Sequence, residues 1–130
     1  MTARKNQFNG IHMEIEQYQQ IVINMAVESW RFSRLFIKAA TKLEPSETNK
    51  YINQLRYFQK NIENSLDECG LKTINLEGQV YDIGMAAVAM NMEDFEADDI
   101  LIVENMVEPI IMGNDGIKKQ GTVILKKVNV

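Results

Sequence analysis

Few residues in this 130-residue chain could carry covalent chemistry. His12 is its single histidine and Cys69 its single cysteine. A histidine base needs a nucleophile or a metal within hydrogen-bond reach, and no Ser or Cys motif supplies one. His12 therefore reads as an ordinary surface or bundle-edge histidine, and Cys69 as a small apolar residue buried at a helix end. The densest acidic run is Glu93-Asp94-Phe95-Glu96-Ala97-Asp98-Asp99. A calcium loop needs regularly spaced ligands, a central Gly and a distal Glu. That spacing is absent, so the run reads as a solvated loop, with a partner-contact surface as the alternative. Gly78 and Gly84 form no dinucleotide fingerprint, and no Lys-Ser/Thr follows a Gly loop. Both read as turn residues. The expectation is a chain that is not an enzyme and uses no cofactor and no metal.

Other residues point to packing and contact. Tyr81-Asp82 reads as a packed ring beside a carboxylate that accepts turn N–H bonds. Met85, Met90, Met92, Met106 and Met112 place five of the eight methionines in the second half. They read chiefly as fillers of an irregular core, with Met112 the most exposed. Lys118, Lys119, Lys126 and Lys127 read as edge-strand protection. Trp30 reads as bundle core or dimer contact.

The elements that must position these residues divide the chain in two. Residues 1–10 are polar and basic and end in Gly10, and read as a flexible arm. From Ile11, the residues Ile15, Tyr18, Val22, Met25, Ser29, Phe32, Phe36, Ala39 and Leu43 recur at alternating three- and four-residue steps. That is a heptad-like seam on one long helix. A second apolar row holds Ile21, Ile23, Val27, Trp30 and Ile37, so the helix needs more than one neighbour. Pro45 ends it, and Ser46 is positioned to cap a second helix from about residue 47 to residue 69. The stripe of that helix is Ile52, Leu55, Phe58, Ile62, Leu66 and Cys69. Gly70 then Leu71 fits a left-handed cap, with Leu71 folding back onto the last turn. Two helices make a poor core. Residues 11–70 therefore read as a hairpin that pairs with a second copy into a dimeric four-helix bundle.

After Gly70 the period switches. Residues 73–76, 100–103, 106–112 and 122–127 are rich in β-branched residues and read as strands. Residues 84–92 are apolar and of uncertain type. Gly113-Asn114-Asp115-Gly116 is a turn signal, and Gly121 marks a bulge or a close backbone approach. Residues 71–130 thus read as a small, mostly antiparallel β domain, and the whole as α+β. The net charge is -4. Residues 1–70 carry 9 basic and 8 acidic side chains, and residues 71–130 carry 5 and 10. An acidic β half disfavours nucleic acid and calls for a basic partner face. The apolar runs are far shorter than the ~20 residues of a membrane span. With one cysteine and no secretory h-region, the expected setting is cytoplasmic.

The stretch Ile52-Asn53-Gln54-Leu55, then Ser65 through Ile74, then Glu77-Gly78-Gln79-Val80-Tyr81-Asp82 resembles the GrpE family of nucleotide exchange factors. In that family a helix ends in a Leu-rich turn and Gly, followed by a short strand, a Gly and an aromatic–Asp pair. The segment Val107–Pro109, the Gly113-to-Gly116 turn and the strand from Lys118 also look like the family's closing strands. Ile83 stands where the family has Pro, Ala86 and Ala87 where it has His and Glu, and Lys118 or Lys119 in place of a hairpin Arg.

The resemblance implies a homodimer whose β domain grips a DnaK-type or related actin-like ATPase and favours its open, ADP-releasing state. It implies partner contacts at Tyr81, Asp82, Met112, Asn114, Asp115, Lys118 and Lys119. The seam of the first helix and the stripe of the second place the dimer interface at Ile15, Tyr18, Val22, Met25, Phe32, Phe36, Leu55 and Ile62. The alternative is a dimeric adaptor of the same fold that binds without driving exchange.

Overall fold

A computed structural model describes residues 2–128, and their side chains from Glu14 to Val128. The side chains of Ile11 and His12 lie outside the described residues. The first helix, α1, spans Thr2–Ala40, and at 1.5 Å per residue it is about 58 Å long. It takes in the residues expected as an arm. No proline interrupts them, and a single interior glycine, Gly10, costs a helix only about 1 kcal/mol.

Two stripes run along α1. Ile23, Ala26, Val27, Ser33 and Ala40 are buried, and Trp30 is half-buried. They recur at three, four and seven residues and form the inward face. Ile15, Tyr18, Ile21, Met25, Phe32 and Leu35 are exposed. The inward face therefore carries Ile23, Val27 and Trp30 of the second row, while Ile15, Tyr18, Met25 and Phe32 of the heptad seam face solvent in the single chain. This corrects the role expected for Trp30, which turns toward the β strands.

Thr41 closes the last turn of α1 through its N–H to the Ile37 carbonyl at 3.0 Å. The second helix, α2, spans Pro45–Glu68. Its N-cap is Glu44 in extended conformation with Pro45 in the first turn, so Ser46 lies inside the helix, not at its cap. Thr48 ties the corner instead, its hydroxyl donating to the Ala40 carbonyl at 2.7 Å. Leu55 and Leu66 are buried, while Tyr51, Tyr57 and Phe58 are exposed. Cys69 is exposed as well, contrary to expectation. It sits at the C-cap, where the helix leaves the core.

The cap is as the sequence indicates. Gly70 has φ +70°. Its N–H donates to the Asp67 carbonyl at 3.0 Å, and the Leu71 N–H to the Leu66 carbonyl at 2.9 Å. This is the paired Schellman pattern, and Leu71 joins Leu66 in one apolar cluster.

Among the described residues six strands follow: β1 Lys72–Ile74, β2 Ala87–Ala89, β3 Leu101–Glu108, β4 Ile110–Gly113, β5 Gly116–Lys119 and β6 Gly121–Lys127. They form two three-stranded sheets, β1-β4-β5 and β2-β6-β3. The β2–β6 pair is parallel, and the other three pairs are antiparallel. The uncertain run at residues 84–92 thus supplies a short parallel strand.

The expected strand over residues 106–112 is cut at Pro109, which has no N–H to give a ladder. Its first part extends β3, which carries two register shifts against β6. Its second part crosses to the other sheet as β4. Gly121 is a close approach: a Cβ there would lie 2.6 Å from Met106 Cε and 3.1 Å from the Glu108 carbonyl.

Two cores result. Leu76, Ala87, Leu101, Val103, Met106, Ile110, Val123 and Leu125 fill the β unit, with Trp30 packed against them. Ile23, Ala26, Val27, Leu66, Leu71 and Ile111 form the second, where α1, α2 and sheet β1-β4-β5 meet. Helices and strands therefore pack together at both cores. Charge ties reinforce it: Arg34 pairs with Glu77, and Arg31 lies 3.6 Å from Glu108. The Arg34 guanidinium also stacks 4.6 Å over the Trp30 ring.

Candidate interaction surfaces

The residues expected to meet a partner fall in two places. Met112, Asn114, Asp115, Lys118 and Lys119 lie on the β4–β5 hairpin. Its turn is set by Gly116 at φ +129°, the backbone freedom that the Gly113-Asn114-Asp115-Gly116 signal supplies. Tyr81 and Asp82 lie on the segment leading to the other sheet. The fold thus does not gather the seven into one cluster.

On the hairpin, Lys118 Nζ reaches Asp115 Oδ1 at 2.8 Å. The hydrogen bond and charge of Lys118 hold the Asp115 carboxyl below its ordinary value. Lys119 turns inward to Glu108, with Nζ 3.3 Å from Oε1. The Thr122 hydroxyl lies 3.1 Å from the same oxygen. Burial of Glu108 opposes its ionisation. The hydrogen bonds from Lys119 and Thr122, with the charges of Lys119 and Arg31, outweigh burial and keep its carboxyl below the ordinary range. Lys119 is thus engaged within the chain.

Asn114 packs against the helix cap, its Nδ2 lying 2.8 Å from where a Cβ on Gly70 would stand. Met112 is half-buried, whereas Met90 and Met92 are the more exposed methionines of the second half. Met112 lies beside the Gly70 cap, whereas Met90 follows an edge strand that leaves its side chain uncovered.

At the other place, the half-buried Tyr81 ring packs against the β core and its hydroxyl donates to the Ala87 carbonyl at 3.3 Å. Asp82 Oδ1 accepts the Gly84 N–H at 3.1 Å. Both bonds match the packed-ring and turn-carboxylate reading of the sequence. The turn they fix displays Ile83, whose side chain is 86% exposed.

The acidic run is built, not loose. A 3-10 turn at Met92–Asp94 begins it. Asn91 exchanges two hydrogen bonds with the Leu125 backbone at 2.9 and 3.0 Å. Phe95 packs on the β core. Asp99 accepts the Glu96 N–H at 2.9 Å and lies 3.1 Å from Lys127 Nζ. The bond from the Glu96 backbone, then the Lys127 side chain, hold its carboxyl below the usual value. Among the described residues, no group of three or more His, Cys, Asp or Glu side chains is placed to hold a metal ion.

The expected dimer contacts also divide. Ile15, Tyr18, Met25 and Phe32 stand exposed, and Val22 and Phe36 are half-buried. Phe36 packs edge-on against Tyr51, ring centres 6.3 Å apart. Leu55 is 6% exposed and Ile62 packs on the second core, so both are spent inside the single chain. A helix stripe cannot report which of its neighbours lies in the same chain. The i, i+3, i+4 spacing of α2 was therefore silent on this point.

Among the described residues, no helix is long and apolar enough to cross a membrane. Comparison with protein-family models, with curated proteins and with solved structures gives no match.

Proposed function

We propose that this chain is a homodimeric, GrpE-like factor that binds the nucleotide-binding domain of a DnaK-type or related actin-like ATPase and speeds ADP release. The observation that carries the reading is the two-sidedness of α1. One face clamps the β unit through Trp30, Arg31 and Arg34. The other bears Ile15, Tyr18, Met25, Phe32 and Leu35 in solvent. A stripe of large apolar side chains on a long helix favours association. A second copy laid on it makes the four-helix bundle and leaves the hairpin and the Tyr81-Asp82 turn outward, free for the ATPase.

The chemistry required is a population shift. The factor binds the open ATPase cleft more tightly than the closed one, and ADP leaves faster in proportion. Co-purification with an ATPase of this superfamily, with faster release of labelled ADP in a stopped-flow assay, is the test. No binding to any such ATPase from the same cell sinks the proposal.

A second reading has its own support. Ala87 is buried and Ala86 half-buried, both against the β core. No polar side chain projects at the positions where the resembling family has His and Glu. On this reading the chain is an adaptor, which binds its partner and leaves the ADP release rate unchanged.

A further inference from the structure

We propose that the hollow between residues 80–83 and residues 92–101 docks a cationic apolar segment of a partner protein. The segment presents one large aliphatic or aromatic side chain flanked by lysine or arginine. The proposal rests on the reading of the Tyr81-Asp82 surface as a partner surface, and is independent of the partner being an ATPase.

The hollow has a volume of about 300 Å³, the lower end of the range for small-ligand sites. Val80, Ile83, Met92, Ala97 and Ile100 line it together with the Asp99 carboxylate. Val80, Ile83, Met92 and Ile100 are 60%, 86%, 45% and 55% exposed. Single exposed apolar residues are ordinary, but four around one concavity make a patch. Ile83 is held outward by the Asp82–Gly84 bond at the apex of its turn, and nothing in the fold requires an isoleucine there.

Charge identifies the occupant. Residues 73–117 contain ten acidic side chains and not one lysine or arginine. Four of the ten, at Asp82, Glu93, Glu96 and Asp98, are exposed and adjoin the lining residues in the chain. A fifth, Asp99, itself lines the hollow and is paired with Lys127. An apolar floor beside exposed carboxylates that outnumber the one cation at its edge, Lys127, favours an apolar group carried between positive charges. The rim is also pre-formed. Asn91 and Phe95 anchor its start, Asp99 pins its middle, and the Val128 N–H donates to the Ile100 carbonyl at 2.9 Å at its end. A fixed loop loses less entropy on binding than a mobile one.

The test is a titration of the isotope-labelled full chain, followed by amide NMR, with three blocked hexapeptides. One is Lys-Arg-Leu-Phe-Arg-Lys. In the second, glutamate replaces every basic residue, and in the third, alanine replaces Leu-Phe. Saturable shifts confined to residues 80–84 and 92–101 are expected with the first, and binding weaker by about tenfold or more with the other two. Ile83→Ser and the triple variant Glu93→Lys, Glu96→Lys, Asp98→Lys should each weaken the first peptide by a similar factor. Their folding is checked by circular dichroism and by Trp30 emission. Raising the salt from low to several hundred millimolar should weaken it severalfold.

The proposal is overturned by no saturable shift, by shifts mapping to the β4–β5 hairpin or to α1, or by equal binding of the acidic peptide. Concentration-dependent shifts of the same amides without peptide also overturn it, since the occupant is then a second copy. Because no ATPase enters this experiment, its failure is distinct from failure of the ADP-release assay.

Discussion

The indole N–H of Trp30 donates to the backbone carbonyl of Met106 across 2.8 Å. This one bond joins the middle of α1 to the middle of β3. The Met106 side chain is fully buried, and its sulfur accepts the Leu76 N–H at 3.2 Å. The two residues thus connect helix α1, strand β3 and the chain entering the β unit. Trp30→Phe keeps most of the ring but leaves the carbonyl without its donor. It should cost about 1 kcal/mol. Trp30→Ala also loses the ring packing and the Arg34 stack, and should cost about 3 kcal/mol. Urea unfolding followed by far-ultraviolet circular dichroism measures both. A Phe variant as stable as the parent would show the bond contributes nothing net.

At Gly70 two penalties coincide. Its φ of +70° disfavours any residue with a Cβ, and Asn114 Nδ2 stands 2.8 Å from the place a Cβ would occupy. Gly70→Ala should destabilise by about 1–2 kcal/mol. Adding Asn114→Ala should recover the steric part and leave the conformational part. A double-mutant cycle in urea separates them. Strict additivity of the two substitutions would show that the Asn114 contact is immaterial.

How much was legible before folding follows from which signals are local. The Gly70 cap, the Gly113-to-Gly116 turn and the close approach at Gly121 are backbone demands written in single glycines, and all three hold. The hydroxyl of Tyr81 and carboxylate of Asp82 satisfy neighbours within six residues, so they too could be read. The partner of a helix face is not local. The heptad seam and the second apolar row of α1 have the same period, and only the β unit decides that Ile23, Val27 and Trp30 go inward. Likewise the pairing of Lys119 with Glu108 spans a hairpin and a bulge. No spacing rule encodes it. The hollow beside Ile83 is not legible in the sequence because its floor comes from two segments, residues 80–83 and 92–101, with eight residues between them. The run of 45 residues without a basic side chain was the available signal.

Acid should destabilise the fold, and the sign can be worked out. Glu108, Asp99 and Asp115 each titrate lower in the folded chain than in the unfolded one. Between the two values the unfolded chain binds more protons, so stability falls as pH falls. The contribution is fully present above the unfolded values, at about pH 4 to 4.5. It is lost as pH descends through the folded ones. Glu108 matters most, because its partners come from α1, β5 and β6 together. Glu108→Gln should cost several tenths to about 1 kcal/mol at neutral pH and flatten the decline below pH 5. Urea midpoints measured from pH 7 to pH 3 check both. A parallel decline in parent and variant would remove Glu108 from the account.

The proposed dimer makes the last prediction. Met25 and Phe32 lie seven residues apart on the outward stripe, 66% and 60% exposed. In the single chain they contact little, so charging them should change the stability of the protomer by no more than about 0.5 kcal/mol. In a paired bundle the same charges would be buried without partners, at a cost of several kcal/mol. The double variant Met25→Lys, Phe32→Lys should therefore keep its helical and sheet signal and become a monomer. Multi-angle light scattering should give the parent twice the 14.9 kDa of one chain and the variant that single mass. Ile111→Lys is the contrasting control. It places a charge in a fully buried site beside Leu66 and Leu71 and should unfold the chain outright. A parent that runs as a monomer at high micromolar concentration would end the bundle proposal. A charged variant that remains dimeric would move the interface off α1 and onto the exposed Tyr57 and Phe58 of α2.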